Sequence, residues 1–385
     1  MYTVDLIETK GDLIAAKEEW EALLNHAPSH EYHHHPDNIL LLMEHLYGGN
    51  RLRAFLIREN GKLCGVAPFT LMKGRFTLGI GGISLLNMAV RQYKLMGTCL
   101  VMADDAKPGP TLKALSGALS ELRHEYDLIY LESLSYDSPL YTLDDPLPGL
   151  VLYPVSVRKN VVRGLKLSRN FAEYLATFRK KRRYNLKRNL RLLDKVTHGD
   201  YSMEKVTDAG QVGSFLEAVD HIYERCWQRH SYGPFHHSSE GNVAYHKEIA
   251  RLGWLRSYLL YCHRKPVAYV IGYQYRGRYY YEYIGYDQAW NHVSPGTVLT
   301  YLMIEDLHTV DSPDFLDFGY GENTYKQIFG NYSHEANNSY LVKRISPLRL
   351  ATLSQLGLSR LYFTLYPLLE KTGLDKRIRK RIRRQ

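Results

Sequence analysis

Apolar and polar positions change period repeatedly along the chain. Residues 2–8 alternate and predict a strand, and Leu13, Ala16, Trp20, Leu23 and Leu24 recur at helical spacing. After His33-His34-His35, which reads as a loop, Pro36 opens a helix toward Tyr47. Residues 52–57 and 63–69 are apolar strands joined through Asn60-Gly61, a strong hairpin signal. A helix over 110–123, a strand over 127–132, an irregular connection over 135–149 and a strand over 150–157 follow. Next come helices over 170–195 and 208–229 around a strand at 200–206, then a loop and a helix to 252. Strands over 255–260, 266–272 and 279–286 lead to the turn 291–297, which opens a helix. A strand at 315–318 and a short helix ending at Phe329 complete the pattern. After Pro347 the chain reads as amphipathic helix, broken at Pro367.

The hairpins at 52–69 and 255–270 match in pattern and turn length at an offset of 203. The chain therefore reads as an internal duplication of mixed α/β units. The boundaries predicted are 1–165, 166–345 and a basic amphipathic tail, 346–385. Gly79-Ile80-Gly81-Gly82 lies in the first unit with no Lys-Ser/Thr after it, so it reads as a hairpin bend and not a phosphate cradle.

Composition narrows the function. The 385 residues suffice for two domains, and 45% hydrophobic residues supply a full core. No apolar run is long enough for a membrane span, and no signal peptide is legible. Cys64, Cys99, Cys226 and Cys262 are scattered, which suits a reducing, cytoplasmic setting and argues against a disulfide framework or structural zinc. Residues 178–195 and 346–385 each carry a net +8, while the whole chain carries +10, so the remainder is acidic. Those two patches fit an acidic carrier protein or an anionic membrane face. Neither a helix-turn-helix nor a zinc finger surrounds the basic helix, which argues against nucleic acid.

Candidate chemistry gathers in the second unit. Ser294-Pro295-Gly296-Thr297 opens a helix whose N-terminal amides could hold an anion such as the pyrophosphate of a coenzyme. Glu282 sits within a tyrosine-rich strand. Alternation places it on the face of Tyr280, Ile284 and Tyr286, opposite Tyr281 and Tyr283. There it could act as a general base, as could Asp287 at the strand end. Asp317 needs a partner in its apolar strand, and Lys326 is a candidate; Tyr325 could protonate a leaving group. Arg183 of the basic helix, Trp227 and Asp317 are the substrate-side candidates.

These stretches resemble a known group. The run 178–188, Trp227, Lys265-Pro266-Val267-Ala268, 279–287, Ser294-Pro295-Gly296 and 316–326 are similar to the GNAT-superfamily acetyltransferase-like family linked to cellulose and exopolysaccharide biosynthesis. That family is related to the Fem-type peptidoglycan transferases. The resemblance implies tandem GNAT-like units with acyl transfer in the second. The donor would be acyl-CoA or an acyl carrier protein, with no permanently bound cofactor. The acceptor would be an amine or hydroxyl of a small molecule, sugar or cell-envelope precursor. Catalysis would fall to Glu282 or Asp287 as base, Tyr325 as acid and Lys326, with donor contacts at Ser294, Pro295, Gly296 and Thr297. One departure is plain: His292-Val293-Ser294-Pro295-Gly296 has one glycine where the GNAT pyrophosphate loop has more. A Fem-type aminoacyl transferase and a non-catalytic module docking on membrane or carrier are the alternatives.

Overall fold

A computed structural model describes residues 1–80 and 83–371, with only the backbone for 230, 232 and 368–371. Gly81, Gly82, the His230 side chain and the basic run 372–385 lie outside the described residues. The chain forms two compact units. One holds Met1–Met43, Tyr47–Asn160 and the chain from Glu335 onward; the other holds Glu44–Leu46 and Val161–His334. The boundary expected at 345 thus falls at 334.

In the first unit β1 (Tyr2–Ile7), α1 (Lys10–His26) and α2 (Pro36–Leu41) precede β2 (Arg51–Glu59), β3 (Lys62–Ile80) and β4 (Ile83–Leu95). Then come β5 (Val101–Met102), α3 (Pro108–Glu121), β6 (Leu128–Ser135), α4 (Pro139–Thr142) and β7 (Leu150–Pro154). Thr9 caps α1 in a reciprocal capping box with Asp12. The second unit runs β8 (Asn160–Lys166), α5 (Phe171–Ala176), α6 (Lys180–Thr197), β9 (Tyr201–Val206), α7 (Val212–Tyr223), α8 (Trp227–Tyr232) and α9 (Glu240–Arg251). It continues through β10 (Ser257–Cys262), β11 (Lys265–Tyr275), β12 (Arg278–Tyr286), α10 (Pro295–Thr309), β13 (Phe315–Tyr320) and α11 (Thr324–Phe329). The chain then returns through β14 (Tyr332–Lys343) and α12 (Pro347–Lys371) to the first unit. There β14 pairs with β6 and α12 packs on β3, so these residues complete that unit.

Each unit carries a mixed sheet. Strand order is β1-β2-β3-β4-β6-β14 in the first and β8-β13-β12-β11-β10-β9 in the second. The duplication is visible in detail. Asn60 and Gly61 both have positive φ in the β2–β3 turn, and His263 and Arg264 repeat this in the β10–β11 turn. The ladders slip at Ile57/Arg58 and again at Leu260/Tyr261, which leaves Cys64 and Val267, also 203 apart, as the extra residues. The parallel pairs β4–β6 and β12–β13 are each three residues long, bridged by α3 and α10. By then the offset has fallen to about 187, because the β3–β4 hairpin is longer than β11–β12.

Two predicted helices are interrupted. The stretch 170–195 breaks between α5 and α6, where Phe178 is buried and the Arg183 guanidinium donates to the carbonyls of Leu175, Ala176 and Phe178. The stretch 208–229 breaks before Trp227, which frees residues 224–226 to turn toward β12. The second unit's core stacks Tyr258, Tyr279, Met303, Ile304, Leu316 and Phe318 between sheet and helices.

Candidate functional site

The site starts from a sheet that comes apart. Strands β12 and β13 pair in parallel only at Arg278↔Phe315, Tyr279↔Leu316 and Tyr280↔Asp317, yet β12 runs on to Tyr286 and β13 to Tyr320. Beyond residue 280 the two strands diverge into a wedge. On its other edge β12 pairs with β11, and the register steps from Ile271↔Tyr283 to Gly272↔Tyr281. Glu282 is therefore the extra residue of a β-bulge. The bulge reverses the side-chain alternation: Tyr279 and Tyr281 point into the core, and Ile284 and Tyr286 pack against the same core. Regular alternation puts Ile284 and Tyr286 on the opposite face from Tyr281, and this expectation fails because the bulge adds one residue.

Aromatic side chains line the wedge. Tyr281 is buried and its hydroxyl shares a 2.8 Å hydrogen bond with Thr300 of α10. Its ring lies 5.5 Å from that of Phe318 and 5.7 Å from that of Tyr325. Burial pushes the Tyr325 hydroxyl above the ordinary tyrosine range, so it holds its proton at neutral pH. Helix α11 is fixed by Tyr174, which donates to the Phe329 carbonyl at 2.7 Å, and by Arg182, which donates to the Gln327 carbonyl.

Lys326 is held by the backbone of β13. It is buried, and its ammonium donates to the Gly319 and Tyr320 carbonyls at 3.0 and 2.9 Å. These two carbonyls lie where β13 bends away, with positive φ at Gly319 and Gly321. Burial pulls Lys326 down to about 8, against the opposing charges of Asp317, Glu322 and Glu282. Asp317 accepts from the Gly319 amide at 2.8 Å and lies 3.4 Å from Arg278. Asp317 therefore reaches Lys326 through its charge, while Arg278 is its ion-pair partner.

Asp287 is a turn cap. Its carboxylate accepts from the Ala289 amide at 2.9 Å and lies 3.8 Å from Arg225. Two further contacts tie the segment after α7 to β12: the Gln228 amide donates to the Ile284 carbonyl at 2.9 Å, and the Cys226 thiol to the Tyr286 carbonyl at 3.0 Å. Sequence reasoning missed both, since neither residue belongs to a motif. Trp227 beside them is 46% exposed and Tyr283 is 58% exposed, so both present ring surface to solvent.

The other half of the candidate site lies at the start of α10. Ser294 adopts a left-handed conformation, and Pro295 occupies the first turn, where its missing N–H costs nothing. Gly296 allows Tyr286 to lie close: a Cβ there would meet the Tyr286 ring at 3.3 Å. Ser294 and Thr297 line a cavity of about 510 Å³ together with Ile328 and one face of α6, including Lys181, Arg182, Asn185 and Arg188. The basic helix thus lies against the helix N-terminus. Arg183, the cation expected to meet substrate, is instead turned onto the end of α5. The first unit has a related turn, Lys107-Pro108-Gly109, opening α3. The Pro-Gly turn is therefore common to both units, whereas the cationic wall of α6 belongs to the second.

The cluster of Glu21, His35 and Asp37 could in principle hold a cation. The Lys17 ammonium already lies 2.5 Å from Asp37 and 3.6 Å from Glu21, which supplies the positive charge.

Residues 180–327 match the acetyltransferase (GNAT) domain family. That segment runs from the first residue of α6 into α11. Among solved structures, FemX superposes with a TM-score of 0.61 at 12% identity, covering 88% of this chain and 98% of that one. The C-terminal DUF2156 domain of a putative lysylphosphatidylglycerol synthetase from Agrobacterium fabrum gives 0.52 at 10% identity, covering 92% and 96%. A tandem GNAT protein from the clavulanic acid biosynthesis pathway gives 0.51 at 12% identity, covering 89% and 99%. Comparison with curated protein sequences finds no match. The fold is that of tandem GNAT-like units. Among the described residues, no helix is long and apolar enough to cross a membrane.

Proposed function

We propose that the second unit transfers an acyl group from a thioester donor to an amine or hydroxyl acceptor. The observation that carries this reading is the β12–β13 wedge, which opens beside a cationic cavity at the α10 N-terminus. A phosphopantetheine arm can lie along the edge of β12 that β13 leaves, with its phosphate at Gly296, Thr297 and the cations of α6. Backbone amides freed near the Glu282 bulge polarise the thioester carbonyl. The acceptor attacks the carbonyl carbon while Glu282 takes its proton. The carbon–sulfur bond then breaks, and Tyr325 donates its proton to the leaving thiolate. Lys326 holds the bend of β13 that keeps the wedge open, and Asp287 holds the turn before α10. Asp317 steadies β13 through Arg278.

Coenzyme A fits the donor role, with its pyrophosphate matched to several cations; an acyl carrier protein is the other donor, and its acidic surface would suit α6. On the acceptor side, the exposed rings of Trp227 and Tyr283 suit a sugar ring of a glycan or cell-envelope precursor. A panel of acyl-CoA and acyl-carrier donors against amino-sugar and polyol acceptors, read by free thiol, tests the proposal. Turnover with one donor class, lowered about a hundredfold in Tyr325→Phe, is expected. Absence of both turnover and donor binding would contradict it.

A further inference from the structure

Helix α12 has two apolar faces and only one of them is covered. Thr352 and Leu356 are buried, and Leu348 and Ala351 pack with Phe76 and Val342. On the other side Leu350 is 69% exposed and Leu361 51%, with Leu353 and Leu365 also exposed. At about 100° per residue these four leucines fall within a sector of about 120°, opposite the buried face. The tip of the β3–β4 hairpin joins this region, because the Gly79 amide donates to the Gln355 side chain at 2.7 Å. Near that tip Leu85 and Leu86 are both exposed. Leu85 is the extra residue of a β-bulge, where the register steps from Leu78↔Leu86 to Gly79↔Ser84.

We infer that α12 and the hairpin tip form a surface that docks on an anionic lipid bilayer. The leucine stripe would lie in the headgroup–acyl boundary, as an interfacial helix does without crossing the membrane. Charge decides between possible occupants. Arg360 lies on the exposed face, and residues 372–385, which follow the helix directly, contain seven Lys/Arg against Asp375. A second copy carries the same net positive charge and so does not neutralise it. An acidic protein would answer the charge but leave no reason for exposed leucines. An anionic bilayer satisfies both, since basic residues are drawn to its surface and leucines to its interior. The inference stands apart from the acyl-transfer reading, because no wedge residue takes part.

The test is co-sedimentation of the full chain with vesicles of phosphatidylcholine containing about 30% phosphatidylglycerol, and with phosphatidylcholine alone. Binding to the anionic vesicles, at least about tenfold above neutral ones, is expected. Leu353→Asp with Leu361→Asp should reduce it about tenfold, and Leu85→Ser with Leu86→Ser about threefold. The milder Leu350→Asn variant should weaken binding with an unchanged melting curve, which separates docking from folding. Failure to bind anionic vesicles would overturn the inference. So would leucine variants that bind like wild type while about 0.5 M salt abolishes binding, because charge alone would then account for it. A concentration-dependent dimer lost in Leu353→Asp with Leu361→Asp would assign the face to self-association instead.

Discussion

The rings of Tyr281 and Tyr325 lie 5.7 Å apart, one on the diverging end of β12 and the other on the helix that follows β13. Tyr281 is committed through its hydroxyl to Thr300, and Tyr325 is the proton donor we propose. Tyr325→Phe should lower kcat by roughly a hundredfold with little change in the donor KM, and the fold should survive, because the ring contacts remain. Steady-state thiol release checks both parameters.

Glu282 and Asp287 separate by the same measurement. Glu282→Gln should reduce kcat by a hundredfold or more, roughly the range for loss of a general base. Asp287→Ala should leave kcat within about threefold and cost about 1 kcal/mol of stability, because it removes a turn cap. Denaturant melts read the second effect. The opposite pattern would return the base to Asp287.

Lys326 gives a pH-dependent stability of definite sign. In the unfolded chain it keeps its proton up to its ordinary value of 10.5, and in the folded chain it begins to release it near 8. The penalty for burying the charge is therefore complete below about pH 8 and is relieved as pH rises toward 10.5, so the Lys326 contribution to stability increases across that window. Its size is on the order of 3 kcal/mol. The stability difference between wild type and Lys326→Met should grow in favour of wild type from pH 8 to 10. Parallel curves would show that the lysine titrates normally.

The α6 cations divide into two roles. Lys181 and Arg188 line the cavity, and replacing both by alanine should raise the donor KM by roughly tenfold or more, with an effect that shrinks in high salt. Arg183→Ala should instead cost about 1–2 kcal/mol of stability, through the carbonyls it leaves at the end of α5, and should not change KM selectively.

Much of the fold was legible because local rules hold in it. The Asn60-Gly61 turn, the second-unit hairpin and the α10 start all follow from short-range chemistry. The Glu282 bulge was not, because alternation carries no mark of an inserted residue when aromatics flank it on both sides. The Pro108-Gly109 counterpart was hidden by the long β3–β4 hairpin, which shifts the repeat offset. Arg183 could not be told from eight neighbouring cations in one run, since its role depends on where α5 ends. Gln228 carries no motif, and only the backbone of β12 gives it a partner.

The proposed site lays a thioester donor along β12 with its phosphate at α10. The most direct measurement is a crystal structure of the full chain with a non-hydrolysable acetyl-CoA analogue. A pantetheine arm along residues 281–286, with phosphate oxygens at Gly296, Thr297 and Arg188, is the expected result. An analogue bound elsewhere, with the wedge empty, would contradict it.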